Sequence, residues 1–312
     1  MSDFRTQLKL GLYTGVKKGW SSFVWICKIV VPVSFVVALL QWTGWLNHLY
    51  FLLNPLMSLV NLPAEAALPI ITAMVVSFYA ALAIMAVIPF TVGQMTLIAL
   101  FMMIAHMLIV EGMVQHKSGL NIIKATLVRI TAATLTVLVV SQFLGDTSQS
   151  IVVPAELTAH TPFVEVLKGW VIDTAGLSLK IFVIIMAVMI LLECLQSLGW
   201  IKYLHRTFKP FMKILGLSDR AIVMWVAAVF FGLLYGSAVI IEEAKKGTLT
   251  QEELERLHIS IGVNHSMVEE TALFLAFGLN ILWLLIPRFV TAIVAVHTYR
   301  AAQYLKNKAL HR

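Results

Sequence analysis

Apolar residues run through this chain in long blocks that are broken at few places. From Lys28 to Glu65, and again from Glu65 to Glu111, there is no Asp, Glu, Lys or Arg. The second gap holds 45 residues. As one helix it would be about 67 Å long, more than twice a bilayer core, so it must fold back. Pro89 and Gly93 mark the natural place. Each half of the chain offers four such segments, about 23–46, 66–88, 94–116 and 119–142, then 178–200, 219–241, 255–277 and 279–300.

Composition turns this pattern into a fold class. Apolar residues make up 60% of the chain and charged ones 12%, against roughly 45–50% and 25% in a typical globular chain. That leaves too little polar surface to cover a water-facing globule, so the chain reads as an all-α polytopic membrane protein with lipid as its main partner. The net charge of +7 lies in short loops beside apolar runs. It reads as a topology signal and implies no nucleic-acid partner. Cys27 and Cys194 fall inside apolar segments without CxxC or Cys/His spacing, and read as packing residues. The first apolar run is too long for the core of a signal peptide and is expected to remain as an anchor.

Sliding the chain on itself reveals a duplication. At an offset of 155, Gly44-Trp45 meets Gly199-Trp200, Pro55 meets Pro210 and Ala66 meets Ala221. At 159, His106 meets His265, Glu111 meets Glu270, Gly119-Leu120-Asn121 meets Gly278-Leu279-Asn280, and Arg129 meets Arg288. Lys18-Gly19-Trp20 finds Lys168-Gly169-Trp170 at 150. Coincident Leu and Val are cheap in such a chain, whereas coincident His, Glu, Asn and Arg are not. The halves are residues 1–142 and 155–312, joined by an extracytoplasmic linker at 143–154.

Positive charge decides their relative orientation. Residues 1–28 carry five Lys or Arg, the loop after the first span of repeat one carries none, the loop from Ile201 to Arg220 carries five, and the tail from Arg300 carries four. If cationic loops stay cytoplasmic, equivalent loops lie on opposite faces and the repeats are inverted, with both termini cytoplasmic in an inner membrane. Inversion needs an odd number of crossings per half, so one segment of each four must fail to cross. The third is the expected one, near 94–116 and 255–277, because its second copy is crowded with polar groups that lipid does not tolerate. The stretches Arg5–Trp20 and Pro162–Asp173 read as interfacial amphipathic helices.

The stretch Gly262-Val-Asn-His-Ser-Met-Val-Glu-Glu-Thr271 carries the candidate chemistry, through Asn264, His265, Ser266, Glu269, Glu270 and Thr271. On a helix His265 and Glu269, and Ser266 and Glu270, share a face. The first half keeps His106 and Glu111 at a spacing of five, about 140° apart on an unbroken helix, so either the helix is interrupted or the two side chains do separate jobs. Asn121 and Asn280 join the candidate binding set. A His beside a carboxylate can carry a proton near neutral pH, which points to proton coupling. Arg129 and Arg288 sit at mid-membrane depth, as scaffold salt bridges or as partners of an anion. Tyr235, Ser237, Ser77 and Tyr79 lie among small residues in the second segments. Close packing is the plain reading there and a hydroxyl-lined path the functional one. The mixed-charge loop from Glu242 to Glu255 is expected outside.

Gly-x-Asn-His-Ser-x-x-Glu-Glu-Thr in a duplicated apolar chain resembles the nucleoside-recognition (Gate) domain family. That family includes spore maturation proteins A and B and is related to the membrane part of ferrous-iron transporter B and to concentrative nucleoside transporters. The resemblance is strong over residues 219–290 and weak in the first half. It implies an inverted repeat with re-entrant helices and movement of a nucleoside-like solute.

Three functions remain open on the residues. One is a transporter or facilitator for a small polar solute. Another is a divalent-cation permease or metal-binding protein using His265, Glu269, Glu270 and His106 as ligands. The third is a scaffold that moves nothing. No HExxH, GxSxG or Walker A motif is present, so no enzyme activity and no cofactor are expected. Self-association is left open.

Overall fold

A computed structural model describes residues 2–45, 57–60, 62–144, 162–233, 236, 239–241, 243 and 246–310. The described residues form helices, turns and loops. Helix α1, Ser2–Trp42, is continuous and about 62 Å long at 1.5 Å per residue. Its counterpart α7, Phe163–Ser197, lies along it. The reason is a stripe of glycines four apart. A Cβ on Gly11 would meet Cys194, one on Gly15 would meet Ile190, and one on Gly19 would meet Met186, so the backbones approach closely. Farther on, Trp170 donates to Ser34 at 3.1 Å, and the rings of Trp42 and Phe163 meet 5.2 Å apart.

As the residue number rises along α1, its partner's number falls along α7, so these equivalent helices are antiparallel. The last helices repeat the pattern: α6 is Ile122–Val140 and α12 is Ile281–Leu310. Lys124, near the start of α6, donates to Tyr299 near the end of α12 at 2.7 Å, and Thr136 meets Thr291 at 2.7 Å. Equivalent helices running in opposite directions are what inverted repeats require.

Between these outer helices the halves match element by element. In the first lie α2, Ala67–Val75, α3, Phe78–Met85, α4, Val92–Ala105, and α5, Leu108–Lys117. In the second lie α8, Ile201–Ile214, whose equivalent stretch in the first half falls mostly outside the described residues, then α9, Ile222–Phe231, α10, Gln251–Asn264, and α11, Glu269–Leu275. Capping boxes open α4 (Thr91 with Gln94) and α10 (Thr250 with Glu253) at equivalent positions. Each satisfies two backbone donors that the helix start leaves free. Thr250→Ala is expected to cost about 1 kcal/mol, with a similar cost for Thr91→Ala, checked by thermal unfolding in detergent.

Two expectations need correction. Arg5–Trp20 and Pro162–Asp173 are not separate interfacial helices. Lys18 pairs with Glu193 of α7, and the glycine stripe carries the packing through the expected boundary. The surface-lying amphipathic element is α8, with Met212 buried and Arg206, Lys209 and Lys213 exposed.

The second correction concerns the segment that turns back. The helical turn Asp219–Ala221, which precedes α9, packs against α10, and Gln251 at the start of α10 donates to the Gly119 carbonyl at 2.7 Å. Lys124 pairs with Glu255 at 3.1 Å. The described ends of the stretch, near 222 and 246, therefore lie on one face, the face that holds the basic ends of α6 and α12. The start of α12 lies 18 residues before Tyr299, about 27 Å away at 1.5 Å per residue, so α10 with α11 must cross. It is the second segment that folds back, and the third crosses while broken. The charged loop before α10 lies on the basic face, not on the opposite one.

Five helical stretches among the described residues are long and apolar enough to cross a membrane: Phe4–Trp42, Val92–Lys117, Ile122–Val140, Phe163–Ser197 and Ile281–Leu305. The crossing from Gln251 to Leu275 is too polar to join them by that measure. At the centre α4 is buried almost throughout, as expected of a helix that is apolar on every side. The linker expected at 143–154 lies outside the described residues apart from its first two.

Candidate functional site

The site is built where the third segments break. Helix α4 ends at His106 with extended backbone, and Met107 is left-handed at φ 45°. In the copy, α10 ends at His265, also extended, and Ser266 is left-handed at φ 50°. A break strands the last carbonyls of one helix and the first N–H groups of the next. Both sets find partners. Met107 donates to the Ala73 carbonyl (2.7 Å), and Ser266 and Met267 donate to those of Ala228 and Val229 (3.1 and 2.9 Å). The folded-back second segment thus receives the broken third.

The carbonyls go to the two arginines. Arg129 donates to Ile104 at 2.7 Å and to His106 at 2.8 Å. Arg288 donates to Val263 at 3.1 Å, to His265 at 2.8 Å and, across the repeat boundary, to Met103 at 3.1 Å. Each guanidinium therefore splints a broken helix end, a role richer than the salt bridge read from sequence. Arg129 also pairs with Glu111 at 2.7 Å, whereas Arg288 stands 3.9 Å from Glu270.

The breaks bring four side chains together, one His and one Glu from each repeat. His106 Nε2 lies 3.1 Å from His265 Nε2, 3.2 Å from Glu111 Oε1 and 3.2 Å from Glu270 Oε1. His265 Nε2 lies 3.2 Å from Glu111 Oε2 and 3.9 Å from Glu270 Oε1. All four residues are buried. Phe78 packs its ring 5.2 Å from His106 and 5.6 Å from Phe274.

Several sequence expectations change here. The face-sharing pairs His265 with Glu269 and Ser266 with Glu270 presuppose a continuous helix, but residues 265–268 interrupt it. The pair that matters is His265 with Glu270, the counterpart of His106 with Glu111. Glu269 points elsewhere and accepts a hydrogen bond from Tyr79 at 2.8 Å. The metal set read from sequence therefore loses Glu269 and keeps His106, His265 and Glu270, with Glu111 beside both imidazoles. Tyr79→Phe is expected to cost about 1.5–3 kcal/mol, the range for hydrogen bonds to charged groups, read by thermal unfolding.

Asn121 and Asn280 are helix caps and not binding residues. Asn121 Oδ1 accepts from Ile123 and Lys124 at 2.9 and 3.2 Å, and Asn280 Oδ1 from Leu282 at 2.9 Å. Ser77 caps α3 by accepting from the Tyr79 backbone N–H at 3.2 Å. Tyr235 and Ser237 lie outside the described residues. Asn264 and Thr271 are buried, and their side-chain polar atoms have no hydrogen-bond partner among the described residues.

Sequence reasoning missed a second cross-repeat lock. Gln115 donates to the His258 carbonyl at 2.9 Å, and His258 Nε2 meets the Ser118 carbonyl at 2.9 Å. Polar residues at helical spacing inside an apolar segment were the available signal.

Over 298 residues the chain is 28% identical to a protein named uncharacterized membrane protein YvoD, from Bacillus subtilis (strain 168), across 93% of this chain and 94% of that one. The chain is a membrane protein. No protein-family model matches it, and no solved structure matches it.

Proposed function

We propose that the protein is a secondary transporter that moves a small polar solute or ion through the junction of its two inverted repeats. One observation carries the reading: the His106, Glu111, His265 and Glu270 centre, assembled from equivalent broken helices at the repeat interface. Burying ionisable groups costs several kcal/mol each, and apolar packing of similar volume holds helices together as well or better. A pure scaffold gains nothing from such a centre. In inverted-repeat transporters the site lies near the bilayer midplane where discontinuous helices meet. Buried Asn264 and Thr271, with no hydrogen-bond partner among the described residues, favour a bound solute over a sealed lock.

The resemblance to the nucleoside-recognition family implies a nucleoside-like solute. The four tips touch at 3.1–3.9 Å, so in this conformation the centre has room for an ion. A nucleoside would require the two broken segments to part. The basic α8, the start of α1 and the end of α12 carry the excess Lys and Arg, which supports a cytoplasmic side for that face and both termini.

The test is flux into proteoliposomes, reading protons with a pH dye and radiolabelled nucleosides and divalent cations from a panel. Saturable flux that falls at least tenfold in Glu270→Gln and His265→Gln, both still monodisperse in detergent, supports the transporter. Flux indifferent to both substitutions removes the centre from it.

A further inference from the structure

We propose that the centre binds a divalent transition-metal cation and that this ion is the transported substrate, the second part resting on the transporter reading above. Both imidazoles are fixed in one tautomer. His106 Nδ1 lies 2.9 Å from the Met102 carbonyl and His265 Nδ1 lies 2.9 Å from the Ile261 carbonyl. A carbonyl only accepts, so each Nδ1 carries a hydrogen, and in the neutral imidazole each Nε2 then turns a lone pair inward. An N–H held by a backbone carbonyl is also the usual outer support of a metal-bound histidine.

With both imidazoles neutral, two lone pairs and two carboxylates converge without a donor among the four. A shared proton satisfies one such contact, whereas a metal ion satisfies all of them. His106, His265 and Glu270 present ligand atoms within 4.8 Å of one another, and Glu111 turns one oxygen toward each imidazole. Ligands about 2.0–2.1 Å from a tetrahedral ion stand about 3.3 Å apart. Among His106, His265 and Glu270 the separations are 3.1, 3.2 and 3.9 Å, and Glu111 sets one oxygen 3.2 Å from each imidazole nitrogen. The longest involves Glu270, the carboxylate its arginine holds more loosely.

Charge balance agrees. Arg129 divides its charge between Glu111 and the carbonyl end of α4, and Arg288 faces the carbonyl end of α10, where a helix is negative, so the two glutamates keep charge to offer a divalent ion. Two nitrogens with few oxygens select Zn²⁺ or Mn²⁺ over Mg²⁺, which demands an octahedral oxygen shell. Since each repeat supplies one His and one Glu, relative movement of the repeats divides the ligand set into halves and releases the ion.

The test uses the full chain in detergent, stripped with a chelator and titrated with Zn²⁺, Mn²⁺ and Mg²⁺ by calorimetry, alongside flux of the same ions into proteoliposomes. The expected result is one Zn²⁺ or Mn²⁺ per chain, a raised unfolding temperature and no Mg²⁺ binding. Loss of an outer support typically costs 10–100-fold in affinity, so loss of a ligand in Glu270→Gln or His265→Gln is expected to cost at least about 100-fold. Glu269→Gln, turned away toward Tyr79, leaves affinity unchanged. If His265→Gln does not fold, the wild-type titration and Glu270→Gln carry the test. Absence of saturable binding while protons or another solute still flow overturns the metal assignment alone. Binding without flux of the ion overturns its role as substrate, and if nothing else on the panel flows, the transporter reading falls with it.

Discussion

Replacing Arg129 by methionine is expected to lower folding stability by about 3–5 kcal/mol, the usual consequence of removing one partner from a buried ion pair. Methionine preserves much of the apolar stem. It leaves the Glu111 carboxylate, 4% exposed, without its 2.7 Å partner. It also strands the Ile104 and His106 carbonyls at the end of α4. Thermal or denaturant unfolding in detergent reads the change. A double variant, Arg129→Met with Glu111→Gln, is expected to recover part of the loss, because the uncompensated charge is gone while the carbonyls stay unpaired. A single variant as stable as the parent would show that the guanidinium does not splint the break.

The second large effect lies away from the centre. Gly15→Ile is expected to destabilise by about 1–3 kcal/mol or more, the range for overpacking a filled interface. A Cβ there would stand 2.6 Å from the Ile190 Cα, a backbone atom that no side-chain rotation relieves. The antiparallel α1 and α7 must separate, and since each belongs to a different repeat the whole assembly loosens. Gly169→Ile is the control. It lies on α7 with nothing within 4 Å of its added Cβ, and is expected to be nearly neutral.

The duplication was legible in the sequence because rare residues recur at fixed offsets, and its inversion because Lys and Arg cluster on alternate loops. The centre was half legible. The spacing of five between His106 and Glu111 is incompatible with one helical face and left a break as one of two readings, while the neighbouring Glu269 obscured its counterpart. The identity of the folded-back segment was not legible. The polar groups in the third segment's second copy argued against its crossing, and the second segment turns at Ser77 and at Gly232, a single small residue in each. Asn121 and Asn280 were misread although the capping rule covers them, since Asn directly before an apolar helix is a typical start signal. The continuity of α1 was hidden by Lys17 and Lys18, which mimic a membrane boundary when Glu193, the partner of Lys18, is unseen.

The two ion pairs at the centre are unequal: Arg129 is closed on Glu111 at 2.7 Å, while Arg288 stands open from Glu270 at 3.9 Å. On the proposed transport role, a chain made of one fold and its upside-down twin is expected to have two resting poses, each obtained from the other by exchanging the parts the twins play. On that role the inequality is the mark of one of them. Its converse, with the second latch shut and the first ajar, needs no new contact, only a trade of roles between partners already in place.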